Sequence, residues 1–339
     1  MHTLAVEKRA LSSCVGYVLS RSRRTVPSEV GRRWFASMKT INRVGRTSLG
    51  KREDQAQPEC GRRTYSQAAS VLPPFDHTKR FRFTQPPHPE WTYGDGMKLP
   101  EQEDQEIWGA SEAARRRRVW DLEGTSSRET YQLLTSAIIP RPIAFVSTLS
   151  EDGTPNLAPF SYFSMISHNP PLLSVSFALS QRRPKDTREN ILQTKEFTVN
   201  IISEPFIEAA NSTSVESPAE MNEWLLSGLT PTKSVLVKPP IVEESAVSME
   251  CELYSHQNIP DSPSEPPTTT LVLGLIKRVH VRESCMREDG LTLDPEKLRP
   301  VARLGSVSYA RTVEGFDLPR VSWKATKGVY EEIERTRKE

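Results

Sequence analysis

One stretch near the middle of the chain, Pro140 to Asn190, constrains the fold more than any other. It reads PRPIAFVSTLSEDGTPNLAPFSYFSMISHNPPLLSVSFALSQRRPKDTREN. Ile143–Leu149 is a nearly continuous apolar run, the pattern of a strand buried on both faces. Asp152-Gly153 is a hairpin-turn dipeptide, and the chain returns as a second strand that runs into Ala158-Pro159-Phe160-Ser161-Tyr162-Phe163. Leu172–Phe177 is a third strand. A basic loop, Arg182-Arg183-Pro184-Lys185-Asp186-Thr187, then feeds a helix through about Thr194, which Asp186 and Glu189 open in the D-x-x-E pattern of a capping box. One end of this unit carries aromatic rings and hydroxyls, and the other a place for a phosphate.

The rest of the chain extends a β-rich plan. Phe197–Ile202, Val247–His256 and Leu271–Val281 read as strands, the last alternating most clearly at its end, where Val279 and Val281 face away from His280 and Arg282. Short helices are expected from Ser127 to before Pro140, over Glu204–Ser212 and over Ala219–Leu226. Asn258–Thr268 reads as an exposed Pro/Ser/Asp-rich loop, and Glu331–Lys338 as a charged surface helix or tail. Short strands with a few inserted helices predict a closed or nearly closed antiparallel barrel. A doubly wound sheet is disfavoured, since no GxGxxG follows a strand.

Charge divides the 339 residues. Residues 1–65 hold 14 Lys and Arg against 5 acids, a net of +9, while the remainder nets −7. A basic arm on a mildly acidic body reads as a targeting segment or a nucleic-acid tail, and Arg33-Trp34-Phe35-Ala36 and Arg63-Thr64-Tyr65-Ser66, which have the form of mitochondrial processing sites, favour the first. Five acids within the arm count against that reading, and a disordered tail without an address is the alternative. Mitochondrial location is therefore the expectation and a cytoplasmic one the alternative. Residues 66–125 form a Pro- and aromatic-rich extension, expected to lie partly extended over the barrel or a partner subunit. The barrel itself takes residues 126–325 and a charged tail 326–339.

Cys14, Cys60, Cys251 and Cys285 show no CxxC spacing, so neither a zinc set nor a disulfide framework is indicated. No apolar run is long enough for a transmembrane helix, and no membrane partner is expected. Arg115–Arg118 sits among acids and reads as a solvated helix face rather than a nucleic-acid patch, so no nucleic-acid partner is expected either.

The familiar catalytic sets, HExxH, GxxxxGK[ST] and GxSxG, are absent, and the six histidines are scattered. Chemistry on such a chain needs a borrowed cofactor. Two anchors present themselves. Arg182, Arg183 and Lys185 place positive charge before a helix start whose free N–H groups suit a phosphate monoester. Asp186 opposes this by its own charge. About twenty residues earlier, Phe160 and Phe163 with Ser161, Ser164 and Ser167 offer apolar faces and small hydroxyls to a flat heteroaromatic ring, although taken alone the stretch reads better as the alternation of a half-buried strand. The pair fits one ligand with a ring at one end and a phosphate at the other.

From about Tyr131 to Pro319 the chain resembles the flavin reductase-like family, the FMN-binding split barrels that include flavoredoxin. The likeness rests on PRPIAFVSTLSEDGTPNLAPFSYF, NPPLLSVSF, RRPKDTRENI, EFTVNI, GLTPTKS, VKPPIVEESAVSMECEL and LDPEKLRPVARLGSVSYART in order. It implies a mainly β, Greek-key split β-barrel with a few short peripheral helices and a disordered N-terminal arm. It also implies a homodimer with FMN near the subunit interface. Phe160, Ser161, Ser164 and Ser167 would contact the ring and ribityl chain, and Arg183, Lys185, Thr187 and Asn190 the phosphate. The Arg303–Tyr309 segment would lie where a nicotinamide stacks. The implied activity is hydride transfer from NAD(P)H to flavin, with a separate electron acceptor. The alternative is an FMN-binding electron carrier or flavin-storage protein without a nicotinamide site.

Overall fold

A computed structural model describes residues 72–99, 105–180 and 185–338. The basic arm, with both processing-site stretches, Cys14 and Cys60, falls outside the described residues, as do Arg182 and Arg183. The chain divides into two compact units, Met1–Pro73 and Pro74–Glu339, and the second carries every element discussed below.

Its body opens with helix α1 (Ser127–Ala137), capped by Ser126 and Glu129 in a reciprocal capping box. Strand β1 (Ala144–Leu149), β2 (Pro155–Phe160), β3 (Phe163–His168) and β4 (Pro171–Ala178) follow. Helix α2 (Asp186–Thr194) leads to β5 (Glu196–Ile201). After the small helices α3 (Ile207–Ser212) and α4 (Glu223–Ser227) come two long strands, β6 (Val247–Pro260) and β7 (Pro267–Val281). Helix α5 (Trp323–Lys338) is last.

Seven strands form one antiparallel sheet in the order β2-β1-β5-β6-β7-β4-β3. The expected barrel is not closed by hydrogen bonds, since no ladder joins β2 to β3. Ser161 and Tyr162 alone separate those two edge strands in sequence, which obliges the sheet to curl until its edges nearly meet. Strand β3 matches the half-buried strand that the alternation through Phe163–Ser167 allows.

The apolar run of β1 is explained by its two faces. Ala144 and Val146 are buried with Leu173, Val175, Phe177, Phe197, Val199 and Val272 inside the curl. Ile143 and Phe145 are buried with Leu157, Phe206 and Trp224 in a second core under α3 and α4. Each large side chain so buried stabilises by roughly 1.5–3 kcal/mol. Gly274 in β7 answers to the inner core. A Cβ there would stand 2.4 Å from Cζ of the buried Phe197 ring, so only a residue without one fits.

Other boundaries moved for local reasons. The expected helix over Glu204–Ser212 begins as a 3-10 turn, Glu204–Phe206, with Pro205 in its first turn. The one expected over Ala219–Leu226 is α4, which starts only where the Asn222 side chain accepts from Trp224 N–H (3.0 Å) and stops at Gly228, φ 69°. The loop expected over Asn258–Thr268 shrinks to residues 261–266, because β6 and β7 continue to pair as far as Pro260 and Pro267. The charged C-terminal helix starts at Trp323, well before Glu331. Within the extension, Arg82–Thr84 pairs in parallel with Glu314–Phe316, and Arg82 bonds Glu314 at 2.8 Å.

One buried carboxylate organises the loop before β6. Glu250, fully buried, accepts from the N–H groups of Val235 (2.9 Å), Leu236 (2.5 Å) and Val237 (3.0 Å), and lies 2.6 Å from His280 Nε2. Burial alone pushes its pKa upward, but the hydrogen bonds outweigh burial and hold it at about 2. The thiol of Cys251, beside it in β6, is raised by burial and behaves as a core residue.

Candidate functional site

A cavity of about 520 Å³ opens where β2, the start of α2 and the 213–217 segment converge. The ring end and the basic end expected from sequence meet here, since Phe160, Lys185 and Thr187 all line it. Helix α2 begins at Asp186 as expected, but not with the expected cap. Lys185 occupies the N-cap position and its side chain makes no cap hydrogen bond, while Asp186 is the first residue of the helix. The positive end of α2 therefore borders the cavity.

A buried polar chain fixes this end. Asn156 Nδ2 donates to Thr187 Oγ1 (2.8 Å) and to Thr148 Oγ1 (3.2 Å), and Asn190 Nδ2 donates to the same Thr148 oxygen (3.0 Å). All four residues are buried. The bond fills an acceptor position of Thr187 and leaves its hydroxyl hydrogen for an acceptor in the cavity. Asn190 serves the chain from beneath the helix and is not among the cavity's lining.

The serines lie apart from the cavity. Ser161 Oγ accepts from Arg141 Nε (3.3 Å), Ser164 Oγ donates to the Met165 carbonyl (3.1 Å), and Ser167 Oγ accepts from Asn169 N–H (3.1 Å). Ser164 and Ser167 sit on β3, the edge strand, whose Met165 and Ile166 are exposed. Phe160 stacks edge-on against Phe177, ring centroids 4.7 Å apart, so one side of it belongs to the inner core. Arg183 lies outside the described residues. The Arg303–Tyr309 segment forms a tight hairpin, with Ala302 paired to Ala310, whose Gly305 abuts Ser136 of α1.

Sequence reasoning missed Asn156 and Glu223, both lining the cavity. A lone amide in an otherwise apolar strand was the available signal for the first. Glu223 is buried. Its carboxylate accepts from Leu157 N–H (3.3 Å) and from Ser217 Oγ (2.9 Å). Nothing local distinguishes it from the neighbouring surface acids.

Residues 136–302 match the model of the flavin reductase like domain. An uncharacterized protein of Aquifex aeolicus is 38% identical over 56% of this chain and 93% of its own. The chain belongs to the flavin reductase-like family. Among solved structures, nitrilotriacetate monooxygenase component B from Bacillus cereus is similar at 34% identity and TM-score 0.57, covering 60% of this chain and 99% of that one. A split-barrel structure from Shewanella frigidimarina is similar at 26% identity and TM-score 0.50, over 59% and 95%. Membership brings a flavin-related redox role. The paired strand at Arg82–Thr84 and helix α5 lie outside the matched residues.

Proposed function

We propose that this cavity binds FMN and that the protein is an oxidoreductase of flavin reductase type, using NAD(P)H. The observation that carries the reading is the meeting of Phe160 with Lys185 and Thr187 on one cavity, whose size suits a ligand of nucleotide dimensions. The residues fit the group. A helix start, a lysine and an oriented threonine hydroxyl suit a phosphate, and Phe160 supplies an apolar wall for a ring. When bound, FMN supplies the chemistry, accepting hydride from a reduced nicotinamide and passing electrons on. Lys185 and Thr187 hold the phosphate end, the Asn156–Thr148–Asn190 chain keeps Thr187 in place, and Phe160 orients the ring. Arg183 completes the proposed phosphate contacts, whereas Ser161, Ser164 and Ser167, expected as ring and ribityl contacts, lie apart from this cavity and are not among them. A second copy of the chain over the exposed β3 edge, with Met165 and Ile166 beneath it, makes the proposed homodimer. A monomer mass in sedimentation removes that part.

Anaerobic stopped-flow with the purified, FMN-loaded protein is the test. Bleaching of the flavin band by NADH or NADPH is expected. A flavin that neither nucleotide bleaches assigns the protein an electron-carrier or storage role instead, and a folded sample that stays colourless in excess FMN ends the flavin reading altogether. Lys185→Ala is expected to weaken FMN binding by about 1–3 kcal/mol, the range for one charge-assisted hydrogen bond. Unchanged affinity in a fluorescence titration would place the phosphate elsewhere.

A further inference from the structure

The wall of the cavity opposite Lys185 has an unusual polarity. Strand β2 is an edge of the sheet, paired among the described residues only with β1. Leu157 N–H is directed not at β1 but at the Glu223 carboxylate. Residues of an antiparallel strand alternate between facing the ladder and facing away. Pro155 and Pro159, two places either side of Leu157, therefore face away as well. Proline carries no N–H. The outward edge of β2 thus presents carbonyls, and its one N–H is already taken.

Glu223 adds to this. Its side chain is almost wholly enclosed, the residue being 5% exposed. Among the described residues no Lys, Arg or His pairs with it. A carboxylate offers about four acceptor positions, and Leu157 and Ser217 use two of them. A buried charge in that condition is costly unless further donors reach it. The wall accepts hydrogen bonds and has none to give.

We propose that Glu223 is a specificity-determining residue that selects a polyhydroxylated ligand, its carboxylate accepting hydrogen bonds from the ribityl hydroxyls of the flavin nucleotide. The assignment rests on the FMN reading given above. Along β2 the order supports it. Asn156 holds Thr187 at the phosphate end, and Phe160 marks the ring end. Glu223 meets the strand at Leu157, between them. Three residues of strand from there to Phe160 span about 10 Å, so the carboxylate faces the linking chain rather than the ring. Its negative charge also repels a phosphate, which keeps that group at the Lys185 end. Hydroxyls are the donors that satisfy such a wall without adding charge.

The test is a four-way binding comparison. Wild type and Glu223→Gln are each titrated with FMN and with an analogue that keeps the isoalloxazine and phosphate but joins them by an unhydroxylated pentyl chain. Wild type is expected to prefer FMN by about ten- to hundredfold, the range for hydrogen bonds to a charged group, and the variant to lose most of that preference. Equal loss for both ligands in the variant would make Glu223 a purely structural residue and overturn the assignment. Wild type that binds both ligands alike overturns it as well, whether or not the variant folds. Wild type that binds neither ligand removes the FMN reading itself, and this assignment with it.

Discussion

Glu250→Ala is expected to lower the free energy of unfolding by about 3–5 kcal/mol, the range for removing one partner of a buried charged network. The truncation strands the N–H groups of Val235, Leu236 and Val237 in a place water does not reach, and His280 loses its partner. The loop they belong to then has nothing to hold it against β6. Glu250→Gln keeps the shape and an acceptor, and should lose less. The charge also sets a pH dependence. The folded carboxyl titrates at about 2 against an ordinary 4.5, so the native state favours the ionised form. Its stabilising contribution is complete above about pH 4.5 and drains away as the pH falls from there toward 2. Urea unfolding at pH 7 and at pH 3 reads both effects. A Glu250→Ala protein within 1 kcal/mol of wild type at pH 7 (roughly the median for an arbitrary substitution) would show that the loop is held by other means.

Arg141→Met is expected to cost about 3 kcal/mol or more, two lost hydrogen bonds to a charged group being enough. Arg141 is 8% exposed and has no carboxylate partner among the described residues. It donates instead to the carbonyls of Thr135, Ile138 (3.0 Å) and Leu304 (2.8 Å) and to Ser161 Oγ (3.3 Å). The first two lie at the C-terminal end of α1, where the helix dipole favours a cation. One side chain thus ties α1, the Ser161 bend and the Leu304 turn together. Its backbone adds a reciprocal pair with Arg303, at 3.0 and 2.9 Å. Lysine retains the charge but not the fork of donors, so Arg141→Lys should fall between. Hydrogen exchange at the Ser176 amide, which donates to the Tyr162 carbonyl, and at Leu304 should accelerate in the methionine variant. Unaltered exchange at both would show that the bend and turn stand without the arginine.

What could be read in advance follows the range of the forces involved. The two-faced burial of β1, the Asp152-Gly153 turn and the start of α2 are local patterns, and they were legible. The cap of α2 was not. Asp186 and Glu189 fit a capping box by spacing, yet the chain enters the helix one residue earlier, at Lys185. Strand β3 was legible only as alternation, because its partner β4 is one that no local pattern names. The tips of β6 and β7 were taken for loop because Pro, Ser and Asp dominate there, whereas pairing carries both strands nearly to the turn. At the site, Lys185, Thr187 and Phe160 were legible as residue types in a spacing. Asn156 and Glu223 were not, because their roles come from the partners that tertiary structure brings to them.

The position of the β6–β7 hairpin in the sheet bears on how the protein emerges from the ribosome. Without those two strands the order falls into β2-β1-β5 on one side and β4-β3 on the other, two half-sheets with no strand to join them. A nascent chain must therefore hold both halves, each with a raw edge, until residues 247–281 have been translated. Pairing over such separations is slow. During that interval the growing polypeptide is most in need of a chaperone, and most prone to stick to its neighbours.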